Sequence, residues 1–268
     1  MRNVNNETIN IHITSIHIFD IDMEENGKHM KILQINGLGR TRSTGRNVYE
    51  MHSEFIKIGI ESYVAVSAEG MSEEDYGQYI IGNKADMKLH ALFSRIFGLQ
   101  GYFSVKPTKE LIKYILEINP DAVILHVLHG NYINVNMLLD FLKTNHIITL
   151  IVLHDLWFLT GHCVHPTTTN CEKYKNKCIN CDQLKEGNIS YFFDTSNKIW
   201  KDRRKAFRNW GELAIVGVSN WVTNCAMNAA VLKDVRHFYR IYNWIDTTKF
   251  CKRAIKEDNN FIILGVSV

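Results

Sequence analysis

Two parts of this chain concentrate side chains that can do chemistry. In the first, the segments AVILHVLHGNYIN and TLIVLHDLWFLTGHC place His126, His129, His154 and Asp155 directly after runs of apolar residues. Imidazole changes charge near neutral pH, so such groups serve as general acids, bases or hydrogen-bonding partners of hydroxyl and phosphate oxygens. A single histidine at a strand end also fits an ordinary hydrogen-bonded core position; three histidines and an aspartate at neighbouring strand ends point to a ligand. His126, His154 and Asp155 are the expected catalytic group. In the second part, HCVHPTTTNCEKYKNKCINC gathers Cys163, Cys171, Cys178 and Cys181. Four thiolates can close a tetrahedron around a structural zinc, which would hold a loop without a core of its own and leave no open position for a catalytic metal. Four free or oxidisable thiols in an ordinary loop are the alternative, because C-x7-C-x6-C-x2-C matches no common finger spacing.

Three further strand ends are polar. KILQI runs into NGLGRTRSTGR, where Gly45 and Arg46 precede a helical pattern and offer free backbone N–H groups, close approach and positive charge to an anionic or hydroxyl-rich ligand. The spacing is not G-x-G-x-x-G, and a tight strand-to-helix turn capped by serine or threonine accounts for it equally well. LAIVGV delivers Ser219, and HFYRIY delivers Asn243. Gly45, Arg46, Ser219 and Asn243 are therefore the expected ligand-binding group. The segment IWKDRRKAFRNW reads as a solvated amphipathic helix face, with phosphate or a membrane surface as the other use of its charge.

The elements that must position these residues alternate. KILQI, ESYVAVSA, AVILHVL, IITLIVL, LAIVGV and HFYRIY read as strands. Helical patterns lie near Gly45 to Ile58, from Pro107 through KELIKYILEI, over NVNMLLDFLK, around SNKIWKDRRKAF and from Asn220. Continuous apolar strands separated by helices predict an α/β fold with a doubly wound, Rossmann-like parallel sheet, because right-handed crossovers place helices on both of its faces. In such sheets ligands bind at the carboxyl ends of the strands, where all of these polar residues fall.

The hydrophobic share of 46% with only three prolines excludes disorder and low-complexity linkers, and a net charge of +3 is far below a nucleic-acid footprint. The longest apolar runs are about a third of a bilayer span. A cytoplasmic protein is expected. Residues 1–29 read as an arm or an extra edge strand upstream of a natural start at Met30, residues 30–250 as one domain with a cysteine-rich loop at 162–181, and residues 251–268 as a linker followed by the strand FIILGVSV.

In order and spacing, KILQINGLGRTRSTGRNVYEMH, PDAVILHVLHGNYIN, HDLWFLTGHC with its cysteines, NCDQLKE, VGVSNW and IYNWIDTTKF resemble the GT-B fold glycosyltransferases of the family 4 type, particularly those of bacterial polysaccharide and capsule synthesis. The resemblance implies transfer of a sugar from a nucleotide sugar to an acceptor hydroxyl with retention and without a catalytic metal. Gly45 would lie beside the donor phosphates, His126 near the reacting sugar, and His154 and Asp155 in a further strand-end motif. Asn243 to Asp246 would form the junction to a donor-binding domain. The implied partners are a nucleotide sugar and a glycan or lipid-linked acceptor, with peripheral contact at the inner membrane face in the lipid-linked case. Relatives carry histidine where this chain has Ile124, and P-N-G-I-D where it has Tyr242 to Asp246. The donor-binding residues of the second domain are absent from these 268 residues, so the expected unit is the acceptor-side domain, with little turnover alone and its donor domain supplied by a separate subunit, or a non-catalytic fragment.

Overall fold

The computed structural model describes residues 30–40, 42–68 and 78–245, so the expected amino-terminal arm and the expected strand FIILGVSV lie outside the described residues. The sheet is built from β1 (Lys31–Asn36), β2 (Glu61–Ser67), β3 (Tyr79–Ile81), β4 (Ala122–Leu125), β5 (Ile148–Leu153), β6 (Leu213–Gly217) and β7 (His237–Arg240). The helices are α1 (Ser43–Lys57), α2 (Lys84–Phe97), α3 (Val105–Ile118), α4 (Val135–Thr144), α5 (Ser196–Phe207) and α6 (Asn220–Asn228). All seven strands are parallel, in the order β3-β2-β1-β4-β5-β6-β7. The expected doubly wound α/β sheet is what the chain forms. Its direction of winding reverses between β1 and β4, which opens a crevice at their carboxyl ends.

Side chains alternate across the sheet, and the two faces are covered unequally. Leu33 and Ile35 of β1, Val123 and Leu125 of β4, Ile151 and Leu153 of β5, and Leu213 and Ile215 of β6 point into one large core with residues of α2, α3, α4, α5 and α6. The opposite positions Ile32, Ile124, Leu150 and Val152 cluster with Met30 and Ile60 and with Met51 and Phe55 of α1, and Val64 and Val66 of β2 pack on Val48 of the same helix. Winding outward from β1 explains this: with right-handed crossovers the connection to β2 falls on one side, and every connection from β3 to β7 falls on the other.

Two elements escaped the sequence reading, β3 and α2. β3 has only three residues, too few to show a period. α2 carried its signals in plain view, since Asn83 accepts from the backbone N–H groups of Ala85 and Asp86, Asp86 answers as a capping box, and Gly98 ends the helix at φ 69°.

The helix α5 corrects another expectation. Arg203 is buried, not part of a solvated face: its guanidinium stacks 3.8 Å from the Trp157 ring centre, and its Nη1 donates to the carbonyls of Trp157 and Thr160. Burial pushes its pKa down to about 10, so it stays charged at neutral pH. One arginine thus satisfies two buried carbonyls of the turn that follows β5.

A crevice of paired histidines at the carboxyl ends of β1, β4 and β5

β4 ends at Leu125, so His126 is the first residue beyond the strand, held there by its backbone N–H bonding to the carbonyl of Ile35 at 2.9 Å. The chain then leaves the sheet in a braced turn. Val127 N–H donates to Asn36 Oδ1 at 3.2 Å, and the Val127 carbonyl accepts from Gly37 N–H and from the Tyr132 hydroxyl, both at 2.8 Å. Next door, β5 ends at Leu153 and presents His154 and Asp155.

These neighbouring ends make two different pairs. His126 Nδ1 lies 3.2 Å from His154 Nε2, with the rings stacked at 5.5 Å and 27°. On its other side, His126 Nε2 is 3.3 Å from Gln34 Oε1 of β1. His129 Nε2 lies 2.8 Å from Asp155 Oδ2, and Asp155 Oδ1 accepts from Trp157 N–H at 2.8 Å.

The charge states of the pairs differ accordingly. Burial, with His154 adding to it, pushes the His126 pKa down to about 3. Burial also lowers His154, against the pull of Asp155. Both rings are neutral at neutral pH. Burial alone would raise Asp155, but the hydrogen bonds from His129 and the Trp157 N–H hold its carboxyl below the usual range. The crevice therefore sets an uncharged donor–acceptor pair beside a fixed anion.

His126 and His154 stand at the border of a cavity of about 320 Å³ along the α1 side of the sheet. Its walls are Ile124, Leu150, Val152 and Val216 of the sheet and Met51 and Phe55 of α1, and Asn243 and Trp244 line it as well. Asn243 accepts from Asn47 Nδ2 at 3.1 Å, and Trp244 Nε1 donates to Glu50 Oε2 at 2.8 Å.

The other expected ligand-binding residues each make a structural contact. A Cβ on Gly45 would stand 1.7 Å from the Gly39 carbonyl oxygen, so glycine at this position lets α1 pack against the loop after β1. The cap of α1 is Arg42 without a side-chain bond, rather than the serine or threonine that a tight-turn reading requires. Arg46 pairs with Glu50 at 2.7 Å. The Ser219 hydroxyl accepts from Val222 N–H at 3.2 Å as the cap of α6. Gln34, Glu50 and Arg203 were not singled out from sequence. For Gln34 the signal was a lone amide within an apolar strand.

The cysteine loop carries no disulfide among its thiols Cys163, Cys171, Cys178 and Cys181. Burial pushes the Cys163 thiol up to about 12 and the Cys178 thiol up to about 11, and the neighbouring thiols add to both. Among the described residues, however, no group of three or more His, Cys, Asp or Glu side chains is arranged to hold a metal ion. Other bonds hold the loop. Gln183 Nε2 donates to the hydroxyls of Thr168 and Thr169 at 2.7 and 2.9 Å, and Asp194 accepts from the N–H groups of Cys181 and Ser196 at 2.8 and 2.9 Å.

Fold and crevice together define a Rossmann-like α/β domain with its polar site at the switch point of a parallel sheet. No family model matches the chain, and no curated protein matches it significantly. Among solved structures, it is similar to Medicago truncatula UGT71G1 complexed with UDP-glucose at 11% identity and a TM-score of 0.45, over 82% of this chain and 53% of that one. This chain thus spans about half of that protein. It is also similar to a Listeria monocytogenes protein described as a UDP-N-acetylglucosamine 2-epimerase, at 12% identity and a TM-score of 0.30, over 83% of this chain and 71% of that one. Among the described residues no helix is long and apolar enough to cross a membrane.

Proposed function

We propose that this chain is the acceptor-side domain of a retaining glycosyltransferase that takes its sugar from a nucleotide sugar. The observation that carries the reading is the meeting of His126 and His154 at 3.2 Å where the sheet reverses its winding, next to the His129–Asp155 pair. Neutral imidazoles suit sugar hydroxyls, because they accept and donate hydrogen bonds without drawing a counter-ion. In the reaction the bond from the anomeric carbon to the nucleotide phosphate breaks and a bond to the acceptor oxygen forms on the same face, while the acceptor proton leaves with the phosphate. His126 and His154 hold the sugar and acceptor hydroxyls, and Asp155 holds the neighbouring His129. The uncapped start of α1, with Gly45 and Arg46, faces the donor phosphates. Asn243 binds the donor from the end of β7, Ser219 lies at the neighbouring strand end, and the acceptor is a glycan or a lipid-linked sugar.

Transfer from a panel of radiolabelled nucleotide sugars to free and lipid-linked glycans tests the reading. Product with the chain extended through a donor-binding domain, and loss of product when that extended chain carries His126→Ala, supports it; equal transfer by the extended His126→Ala chain removes the histidine pair from the chemistry.

The cysteine loop supports a second proposal. Four free cysteines within one loop, Cys163 and Cys178 buried and Cys171 and Cys181 partly so, are a set that zinc would order. Metal analysis returning about one zinc per chain, with melting brought down by chelator, supports it; a zinc-free chain with unchanged melting rejects it.

A further inference from the structure

The uncharged histidine pair has a direction, and the residue that sets it lies in the strand beside it. Gln34 is fully buried in β1. Its amide nitrogen stands 3.3 Å from the carbonyl oxygen of Val48, inside α1, and its amide oxygen stands 3.3 Å from His126 Nε2. A carbonyl can only accept, so the NH2 end of Gln34 must face Val48; the flipped amide would set two oxygens against each other with no proton between them. That leaves Oε1, also an acceptor only, against His126. The proton of His126 must therefore sit on Nε2.

A neutral ring carries one proton, so His126 Nδ1 is bare and accepts. Its neighbour at 3.2 Å is His154 Nε2, which must donate. By the same count His154 Nδ1 is then bare as well. His154 is only half-buried, borders the cavity, and makes no other hydrogen bond among the described residues.

We propose that Gln34 is a positioning residue that fixes the tautomers of both histidines, so that His154 offers its Nδ1 lone pair to a ligand as a hydrogen-bond acceptor. The same pair with both protons moved to Nδ1 would satisfy the His126–His154 contact equally well and would turn His154 into a donor at that atom. Only the anchored amide of Gln34 separates the two arrangements. Its significance for an acceptor hydroxyl rests on the glycosyl-transfer reading above; the proton arrangement itself does not.

Long-range proton–nitrogen correlation spectra of the 15N-histidine-labelled chain at neutral pH read the tautomers directly, with His126→Ala and His154→Ala giving the assignments. The expected result is a single neutral tautomer at both rings with the proton on Nε2. Gln34→Leu is expected to erase that signature, leaving both rings as mixtures, while the amide spectrum keeps the folded pattern. Protons on Nδ1 or mixed tautomers in the parent chain overturn the proposal, and so does a folded Gln34→Leu chain with unaltered tautomers. Should Gln34→Leu fail to fold, the parent spectrum alone decides. A chain with the stated tautomers that transfers no sugar counts against the glycosyl-transfer reading and not against the role of Gln34.

Discussion

The two faces of the sheet have divided the labour. Five helices, α2 to α6, cover one face, and its core includes Trp157, Phe207, Leu153 and Leu138, all essentially inaccessible to water. Among the described residues the other face has α1 alone, and beyond the reach of that helix the strand side chains border a cavity of about 320 Å³ that ends at His126 and His154. The difference teaches where stability and chemistry each reside. Burial on the helix-covered face supplies the free energy of folding, and the sparsely covered face keeps room for a ligand.

That division can be broken most forcefully at Trp157 and Arg203. Trp157→Ala removes a buried indole and the stacking surface of the arginine, and is expected to cost about 3–5 kcal/mol of unfolding free energy in urea titrations. A cost below about 1 kcal/mol would show that the covered face does not dominate. On the other face, His154→Ala is expected to lower transfer about 100-fold or more while leaving the urea midpoint near that of the parent. A large fall in midpoint would make this histidine a structural residue. Gly45→Ala joins the two faces: its methyl meets the Gly39 carbonyl oxygen, so α1 must lift, and a loss of about 1–3 kcal/mol is expected together with weakened ligand binding.

The titration of His126 sharpens the comparison. Its folded pKa is about 3 against 6.5 unfolded, so between those values only the unfolded chain takes up the proton. Its contribution to stability is complete above pH 6.5 and is lost as pH falls toward 3, by up to about 1.4 kcal/mol per pH unit. Urea titrations from pH 7 to 4 should show that decline, and His126→Gln should flatten it; an equal slope in the variant would place the acid sensitivity elsewhere, for instance at His90, which burial brings to about 4. The smallest effect belongs to the cavity wall. Leu150→Thr is expected to cost under about 1 kcal/mol, whereas Leu153→Ala, three residues along the same strand but in the covered core, is expected to cost about 2–5 kcal/mol. Equal costs would erase the contrast.

Much of this architecture was legible in the residues, for a physical reason. A strand buried on both sides must be apolar throughout, so AVIL, ITLIVL and LAIVG announced themselves, and the carboxyl-end rule brought His126, His154 and Asp155 to one place before any coordinates. What stayed hidden is pairing. Nothing local says that His126 will take His154 and Gln34, while His129 takes Asp155, because strand register and loop geometry decide it. Glycine and serine are ambiguous in a related way. Both occur wherever backbone must approach backbone or a helix must start, and at Gly45 and Ser219 those uses are filled by the protein itself. Arg203 was hidden by its neighbours, since a charged run looks solvated until one member is seen to fill the space beneath a turn.

The segment after β7 is tied back to the first helix at two points, Asn243 to Asn47 and Trp244 to Glu50, the latter already shared with Arg46. Both ties therefore end on α1, among the described residues the helix that roofs the crevice and whose Val48 carbonyl anchors Gln34. A shift of α1 would reach the histidine pair through that amide, so the placement of one helix and the direction of the proton pair are linked.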